Sequence, residues 1–376
     1  MRIYLDHNAT SPLTERTRTA MTEAMAVAGN PSSVHGDGRA ARARLETARA
    51  GVAALAGVEP DQLVLTSGGT EADLLGVVGL ARAARAAGAP ARALVLATEH
   101  PAVHGAAATL AAEGFAVAAL PVDRAGRVDL DGLDAALAGG AAVVAVAAVN
   151  HETGVIADLD TVAARCRAAG ARLHVDAVQA AGRIALAPIA ALADAMALSA
   201  HKIGGPAGVG ALIVRAGVEL APLHAAGHQE RGRRPGTENL LGAIGFAAAA
   251  SEVDLTAVAA VARRAARLEA GLLTIAGARI HGGGAPRTGT TVNVGFEGAL
   301  GEAIVIALDL AGVSASTGAA CTSGSIQPSP VLLALGLSRE RAREGVRFSL
   351  GVTTTDADID RVLEVLPAIV ERARRA

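Results

Sequence analysis

Ala197-Leu-Ser-Ala-His-Lys-Ile-Gly-Gly-Pro206 leads from a short apolar run into a turn of glycines and proline, and it contains Lys202. Lys202 is the only lysine in a chain of 376 residues, in which lysine and arginine together number 34. Arginine stays protonated at physiological pH, whereas a lysine that is desolvated or close to other cations can lose its proton. The single lysine therefore indicates a site that needs a neutral primary amine, the alternative being chance retention in an arginine-rich composition. Such an amine forms Schiff bases with carbonyl groups, including the aldehyde of pyridoxal phosphate.

Short apolar strands alternate with helices along the chain before this stretch. Strands are predicted at 62–66, 93–97, 116–121, 142–149, 172–175 and 195–199, and most are followed by a helix. A further strand at 209–214 can return antiparallel after the Gly-Gly-Pro turn. The alternation predicts an α/β fold with a mainly parallel sheet between helices. Ligands of such sheets bind beyond the strand ends, where we expect His100, Asp176 and Lys202.

The pattern of the chain changes after about residue 250. A long helix rich in alanine and arginine is predicted at 252–273, followed by a strand at 290–296, another helix, and a closing strand and helix. We predict a large domain over residues 15–249 and a smaller α+β domain formed by residues 1–14 and 250–376.

The composition limits the classes of partner. A net charge of −2 gives no reason to expect nucleic acid or an acidic membrane surface. The N-terminus lacks the apolar core of a signal peptide, and no uncharged apolar run reaches the roughly 18 residues of a membrane-spanning helix. We therefore expect a cytoplasmic protein, whose two cysteines form no disulfide framework.

Two loops at predicted strand ends suit a phosphate and a pyridine ring. In Ser67-Gly-Gly-Thr-Glu71 the glycines, the Thr70 hydroxyl and the free N–H groups of a helix start can bind phosphate, although such a turn can also serve geometry alone. In His174-Val-Asp-Ala-Val-Gln179 the carboxylate of Asp176 can keep a pyridine nitrogen protonated, or it can cap the following helix.

Histidine and arginine supply further candidates. His100 lies at a strand-to-helix junction, where its imidazole can stack on a flat cofactor in a chain that has few aromatic residues. His201 lies beside Lys202 and can also be an ordinary loop histidine. The basic loop from Arg231 to Thr237 is suited to phosphate or to an interface. Arg347 can clamp a carboxylate or form a surface salt bridge.

The two cysteines differ in their surroundings. Cys321 lies in a run of very small residues from Ser314 to Ser325, which predicts a mobile loop with a reactive thiolate at its middle. Cys166 lies within a predicted helix and is interpreted as a small core or surface residue.

Together these stretches resemble the cysteine desulfurases of the NifS/IscS type, which are fold-type I pyridoxal phosphate enzymes. Any one motif is modest, but nine of them occur in order over nearly the whole chain. The motifs are Tyr4-Leu-Asp-His-Asn-Ala-Thr10, Gly29-Asn-Pro-Ser-Ser-Val-His35, Thr66-Ser-Gly-Gly-Thr-Glu71, Thr98-Glu-His100, His174-Val-Asp-Ala-Val-Gln179, Ser199-Ala-His-Lys-Ile-Gly-Gly-Pro-Ala-Gly208, Arg234-Pro-Gly-Thr237, Gly318-Ala-Ala-Cys-Thr-Ser323 and Arg347-Phe-Ser-Leu-Gly351.

The resemblance implies a role for each candidate residue. Lys202 is the Schiff-base lysine, and Cys321 is the nucleophile that accepts sulfur. By the resemblance, the cofactor ring binds to Asp176 through its nitrogen and to Gln179 through its hydroxyl, and His100 stacks on its face. The implied phosphate-binding residues are Gly69, Thr70, Ser199 and His201, with Thr237 reaching in from the other subunit of a homodimer. Arg347 and Asn30 are the implied substrate-binding residues, and His100 is also a candidate proton shuttle.

One position departs from the family pattern. The family usually has a second asparagine where this chain has His151, within Asn150-His-Glu-Thr-Gly154. A histidine can still donate a hydrogen bond to the ring hydroxyl of the cofactor, but its size and pKa differ from those of asparagine.

The resemblance implies conversion of L-cysteine to L-alanine with a persulfide left on Cys321. That sulfur would pass to an acceptor protein for iron-sulfur cluster assembly or for thio-modification. The alternatives are a selenocysteine lyase, an ordinary transaminase that does not need Cys321, and a cofactor-free scaffold that binds iron-sulfur assembly proteins.

Overall fold

The computed structural model of the chain describes residues 2–26, 28–317 and 327–375. In chain order the strands are β1 (Ile3–Tyr4), β2 (Leu63–Thr66), β3 (Arg92–Leu96), β4 (Ala116–Leu120), β5 (Val143–Ala147), β6 (Arg172–Asp176), β7 (Ala195–Ser199), β8 (Gly210–Val214), β9 (Ala278–Ile280), β10 (Thr291–Phe296), β11 (Val313–Ser314) and β12 (Gly345–Ser349).

The helices alternate with the strands in the first two thirds of the chain. They are α1 (Glu15–Ala24), α2 (Gly36–Ala56), α3 (Gly69–Ala86), α4 (Pro101–Ala112), α5 (Leu130–Leu137), α6 (Leu159–Ala168), α7 (Ala187–Leu192), α8 (Leu240–Ser251), α9 (Leu255–Leu272), α10 (Gly301–Leu310), α11 (Pro330–Ala334), α12 (Arg339–Ala342) and α13 (Asp356–Ala373). Within the described residues no single helix is long and apolar enough to cross a membrane, and only the pair α8 and α9, bent by 74°, meets that criterion when taken together.

The central sheet has the strand order β2-β8-β7-β6-β5-β3-β4 in the described part of the chain. Strands β4, β3, β5, β6 and β7 are parallel, and β8 is antiparallel to both β7 and β2. The predicted antiparallel return after the Gly-Gly-Pro turn is confirmed by the pairing of Ser199 with Gly210. The predicted mainly parallel sheet between helices is likewise confirmed.

Both faces of this sheet are buried along β2, β3 and β5 to β8, which explains the apolar runs of these strands, whereas the edge strand β4 is largely exposed. Along β5, Val144 and Val146 pack into a core with α2, α5, α6 and α8, whereas Val143 and Ala145 pack into a core with α3 and α4. Successive side chains of a strand point to opposite faces, so each run supplies both cores.

A second, smaller sheet lies in the C-terminal part of the chain. It has the strand order β12-β10-β9. Strands β1 and β11 form a separate parallel pair. Its core joins Leu5 from the N-terminus to side chains of α9, α10 and α13. The helix predicted at 252–273 begins later, at Leu255, because Asp254 caps α9 by accepting a hydrogen bond from Thr256 N at 2.8 Å. The predicted division into domains at residues 14 and 249 stays a prediction.

Residues 5–14 connect the two sheets and are called the N-terminal strap below. At one end, Leu5 N donates to Ser314 O at 2.9 Å, and Leu5 O accepts from Ser349 N at 2.8 Å. At the other end, Ser11 N donates to His201 O at 2.8 Å and Thr14 N to Gly204 O at 3.1 Å. The strap therefore runs from the small sheet directly to the loop that carries Lys202.

Gly76 in α3 packs against the buried ring of His174, and we predict that Gly76→Ala destabilises the protein. A Cβ at position 76 would lie 2.4 Å from His174 Nδ1 and 2.5 Å from Cε1, which is too close for any rotation of a fully buried ring to relieve. We expect a loss of about 1–3 kcal/mol in urea unfolding. Gly105→Ala is the matched control, because a Cβ added to that helical glycine would have nothing within 4 Å and the change should be neutral or stabilising. Equal effects of the two substitutions would contradict the packing argument.

Candidate active site

Three predicted motifs meet at the ends of β6 and β7. A Cβ added to Gly69, the first residue of α3, would lie 2.9 Å from Val178 Cγ2 and 3.3 Å from Ser199 Cβ. Val178 lies two residues after Asp176 in the loop that follows β6, and Ser199 ends β7. The glycine therefore allows the start of α3 to approach the loops that carry the predicted carboxylate and lysine.

The start of α3 has the features of a phosphate site. The Ser199 hydroxyl oxygen is buried and has no hydrogen-bond partner within the described chain. Thr70 is exposed in the first turn of α3, where the N–H groups of a helix are free. A buried hydroxyl without a partner is costly, so a bound anion that accepts from it would remove the cost.

The basic loop predicted at 231–237 lies beside this helix start. Arg234 Nε is 2.8 Å from Glu71 Oε1 in the first turn of α3. Glu230, just before the loop, adopts a left-handed conformation with φ 46° and is held by the buried Arg49 through contacts of 2.7 Å. These ion pairs fix the loop, while Thr237 at its end is exposed in the single chain.

Lys202 lies in a short 3₁₀ turn after β7, and its amine is held by the N-terminal strap. Nζ donates to Asn8 O at 2.7 Å and to Ala9 O at 2.8 Å. Burial lowers the pKa of Lys202 to about 8, and the positive charges of Arg347 and Arg183 act in the same direction. The neutral amine that the sequence predicted is therefore accessible near physiological pH.

Asp176 ends β6 and is 8% exposed. Its Oδ1 accepts a hydrogen bond from Val178 N at 2.9 Å, so Asp176 caps a turn and not the helix considered from the sequence, since the next helix, α7, begins at Ala187. Burial raises the pKa of Asp176 to about 7, and the nearby Asp73 acts in the same direction. Such a carboxylate lacks a strong cationic partner, and a protonated ring nitrogen would supply one.

Gln179 lies close to Asp176 and Lys202. Its Nε2 donates to Asn8 O at 2.9 Å, while its Oε1 is buried and has no partner within the described residues. This unsatisfied amide, together with the Ser199 hydroxyl, leaves room for polar groups of a bound molecule.

His100 and His151 form an edge-to-face pair, with ring centroids 5.3 Å apart and an interplanar angle of 77°. Burial lowers the pKa of His100 to about 4 and that of His151 well below its usual value. His100 Nδ1 accepts from Ala102 N at 3.1 Å as the cap of α4, so the neutral ring carries its proton on Nε2. His100 can therefore act as a hydrogen-bond donor to a group in the site.

Arg347 lies on β12 and is buried, so it does not form the surface salt bridge considered from the sequence. Nη2 is 2.8 Å from Asp6 Oδ1, and Nη1 donates to His151 O at 3.0 Å. Nε is buried and has no partner in the described structure, so this N–H of the guanidinium is available to a carboxylate.

Of the remaining predicted residues, His201 contacts the N-terminal strap beside Lys202, Asn30 contacts its own loop, and Cys321 is not described. His201 Nδ1 is 3.2 Å from Thr10 Oγ1 of the strap, and burial lowers the pKa of His201 to about 4. Asn30 is exposed, and its Oδ1 accepts from Ser32 N at 2.9 Å. Cys321 and its predicted loop lie outside the described residues. Cys166 is buried in α6, where burial raises the pKa of its thiol to about 12, which excludes it as a thiolate.

The described residues on either side of Cys321 contact the site. Ser316 N donates to Arg347 O at 3.1 Å, and Arg347 N donates to Ser316 O at 2.6 Å. On the other side, Ser329 Oγ donates to Glu152 Oε2 at 2.6 Å, next to His151. The described residues that flank Cys321 in the sequence are thus hydrogen-bonded to Arg347 on one side and to Glu152, the neighbour of His151, on the other.

The sequence reasoning missed Asn8, which joins both parts of the molecule at the site. It lies within a recognised motif, but nothing in that motif distinguishes it from its neighbours. Its backbone N donates to Ser349 Oγ at 2.9 Å, and its carbonyl oxygen accepts from Lys202 Nζ at 2.7 Å and from Gln179 Nε2 at 2.9 Å. In its side chain, Oδ1 accepts from Arg183 Nη2 at 3.0 Å, and Nδ2 donates to His151 O and to Thr291 Oγ1 at 3.0 Å each. Asn8 is 3% exposed, so these protein contacts replace water at all of its polar groups.

Comparison with known proteins identifies the family. The model for "Aminotransferase class-V" matches residues 3–362. The chain belongs to the class-V aminotransferase family. It is 43% identical over 379 residues to "Cysteine desulfurase" of Trichormus azollae, covering 99% of this chain and 94% of that protein. It is 39% identical over 386 residues to "Cysteine desulfurase NifS" of Azotobacter vinelandii, covering 99% and 93%. A solved "NIFS-LIKE PROTEIN" matches with a TM-score of 0.90 and 31% identity, covering 99% of this chain and 100% of that chain.

These matches confirm the predicted family, the fold-type I architecture and the enzyme class. The chain is accordingly a pyridoxal-phosphate-dependent enzyme of the cysteine desulfurase family. The residues present fit that cofactor. Among the described residues the Ser199 hydroxyl has no partner, and it lies beside Gly69, where a side chain would crowd it. The buried carboxylate of Asp176 lies close to the only lysine of the sequence. The cofactor-free scaffold considered from the sequence is not favoured.

Asp176→Asn tests the electrostatics of the site in the cofactor-free protein. The pKa of Asp176 is about 7 when folded, above its ordinary value, so folding favours the protonated carboxyl. The stability that this carboxyl contributes is present below its unfolded pKa and is lost as the pH rises through about 7. We expect the free energy of urea unfolding to fall less between about pH 5 and about pH 8 in Asp176→Asn than in the wild type. The exposed Asp131→Asn serves as control, and an unchanged pH dependence in Asp176→Asn would contradict the raised pKa.

Proposed function

We propose that this chain converts L-cysteine to L-alanine and leaves a persulfide on Cys321, with Lys202 holding pyridoxal phosphate through its amine. The observation that supports the proposal is the position of Lys202. It is the only lysine of the sequence, its pKa is about 8, and it lies close to Asp176 and to the proposed phosphate site formed by Gly69 and Ser199. The names of the relatives support the same activity.

The cofactor-binding roles extend from this position. Asp176 holds the ring nitrogen in its protonated form, and Gln179 binds the ring hydroxyl. His100 stacks on the ring, and His151 donates to the ring hydroxyl in place of the family's usual asparagine. The phosphate is held by Gly69, Thr70, Ser199, His201 and, from a second copy of the chain, Thr237. The exposure of Thr237 in the single chain and the fixed loop before it support this last role.

The substrate is bound and activated by residues of the chain. Arg347 binds the carboxylate of L-cysteine with its Nε, which has no partner among the described residues, and Asn30 is a further substrate-binding candidate. When bound, pyridoxal phosphate supplies an electron sink for charge that develops at the α-carbon. Lys202, as a neutral amine, would take the proton from that carbon. His100 donates or accepts a proton through Nε2 near the substrate thiol.

Sulfur leaves the substrate by transfer to Cys321. The Cys321 thiolate attacks the sulfur, its S–S bond forms as the C–S bond of the substrate breaks, and the electron pair returns to the carbon that becomes the alanine methyl group. L-cysteine and the Cys321 thiol thus give L-alanine and the Cys321 persulfide, with no external oxidant.

The product persulfide requires an acceptor. We propose that a sulfur-acceptor protein of an iron-sulfur cluster or thio-modification pathway takes the sulfur from a cytoplasmic homodimer of this chain. The charge of −2 gives no support to nucleic acid as a direct partner, and the sequence has no block of five or six like charges.

We predict that Cys321→Ala abolishes sulfide release while the cofactor stays bound. The assay supplies L-cysteine with a reductant and measures sulfide and alanine. Cys166→Ala is the matched control and should keep nearly full activity, because its buried thiol with a pKa of about 12 takes no part in the reaction. Undiminished turnover of Cys321→Ala would favour an ordinary transaminase, and preferential turnover of selenocysteine would favour a lyase.

We also predict that borohydride reduction of the cofactor-loaded enzyme attaches the cofactor to Lys202. Because the chain has only one lysine, peptide mapping should find a pyridoxyl label on one side chain. Lys202→Ala should remove both the label and the visible absorbance of the bound cofactor. A label on the α-amino terminus alone would refute the role of Lys202.

A further inference from the structure

Arg183 is a buried guanidinium beside the site, and the sequence gives it no role. It follows the Asp176 loop and is 9% exposed. Its hydrogen bonds go to Gln179 O at 3.1 Å, Ala181 O at 3.5 Å and Asn8 Oδ1 at 3.0 Å. All three acceptors are neutral oxygens, and among the described residues Arg183 has no ion pair with a carboxylate. A buried arginine usually has an acidic partner, so this unneutralised charge needs an explanation.

Asn8 places this charge close to the amine of Lys202. The Asn8 side chain accepts from Arg183, while the Asn8 carbonyl oxygen accepts from Lys202 Nζ at 2.7 Å. A single asparagine therefore separates the two cations. Both residues also line one cavity of about 420 Å³, between the N-terminal strap and the start of α9. Arg183 is buried and Lys202 is half-buried, so their repulsion is screened less than that between two surface charges.

Other charged groups around Lys202 partly oppose each other. Arg347 adds positive charge from β12, while Asp176 from β6 and Asp6 from the strap add negative charge. Arg347 is itself paired with Asp6. The imidazoles of His100, His151 and His201 on the neighbouring elements are each affected by Lys202. The cavity shared with Arg183 is also lined by charged or titratable side chains of the strap, of α1 and of the turn before α9, namely His7, Glu15, Arg18, Glu252 and Asp254.

We propose that Arg183, oriented by Asn8, is a positioning residue whose unpaired charge favours the neutral form of the Lys202 amine before the cofactor binds. Only a neutral amine attacks the aldehyde of pyridoxal phosphate, so the charge promotes loading of the enzyme. The pKa of Arg183 itself is lowered to about 10 by burial and by Arg347, and the pKa of His7 is lowered by burial and by Arg183, as expected of an unneutralised cation. The inference rests on the proposed role of Lys202.

The test measures the pKa of Lys202 in cofactor-free, full-length protein by competitive acetylation with peptide mapping. Because the chain has one lysine, the ε-amine signal is unambiguous, and the α-amino terminus serves as an internal reference. In Arg183→Gln we expect the Lys202 midpoint to rise by about one pH unit, because a like charge has been removed. Asn8→Ala, which removes the side-chain acceptor without adding charge, should raise it by a smaller amount.

Two further variants distinguish an effect of the Arg183 charge from an effect of altered packing. Arg183→Lys keeps the charge and should keep a midpoint near that of the wild type, its new lysine being resolved by mapping. Arg361→Gln, an exposed arginine of α13 paired with Glu364, should change nothing. A folded Arg183→Gln with an unchanged midpoint would overturn the inference, as would an equal shift in Arg183→Lys. If Arg183→Gln fails to fold, Arg183→Met replaces it under the same criteria.

The inference and the proposed function fail in different ways. Borohydride labelling of Lys202 without a midpoint shift in Arg183→Gln would leave the function intact and remove the role of Arg183. A midpoint shift without labelling would leave the electrostatic coupling intact and remove the cofactor role of Lys202.

Discussion

The two hydrogen bonds from Lys202 Nζ to the carbonyl oxygens of Asn8 and Ala9 hold the site together. They connect the loop after β7, in the large sheet, to a strap whose other end pairs with the small sheet. Asn8 then adds contacts to Gln179, Arg183, His151, Thr291 and Ser349. The lysine therefore lies where both parts of the molecule meet, and its position depends on how they pack.

The charges around this lysine are arranged for anionic ligands. Lys202, Arg183 and Arg347 contribute positive charge, and in the described chain Arg183 lacks a carboxylate partner. A phosphate and a substrate carboxylate would both reduce the repulsion within this cluster. The same repulsion favours a neutral amine before these anions arrive, so binding and reactivity have a common electrostatic origin.

Much of the site follows from the sequence because its chemistry lies at strand ends marked by glycine, proline and polar residues. Gly69, Asp176, Ser199 and Lys202 were predictable for this reason, and the structure brings them together. Asn8 and Arg183 were not, because their roles come from contacts with residues more than 170 positions away, such as Asn8 with Arg183 and Lys202. The burial of Arg347 was equally hidden, since an arginine is usually exposed. The start of α9 depends on the Asp254 cap, which helical periodicity alone does not locate.

Strand β12 connects Arg347, the proposed carboxylate-binding residue, to the chain before the segment that contains Cys321. Its Arg347 side chain faces the site, while the Arg347 backbone pairs with Ser316 just before that segment. After the segment, Ser329 is held by Glu152, whose neighbour His151 accepts a hydrogen bond from Arg347 through its carbonyl oxygen. Arg347 is thus connected to the chain on both sides of the segment, through its backbone before it and through its guanidinium after it. In the proposed reaction, the arginine that binds the carboxylate is therefore hydrogen-bonded to Ser316 before this segment and to the carbonyl oxygen of His151, whose neighbour Glu152 accepts a hydrogen bond from Ser329 after it.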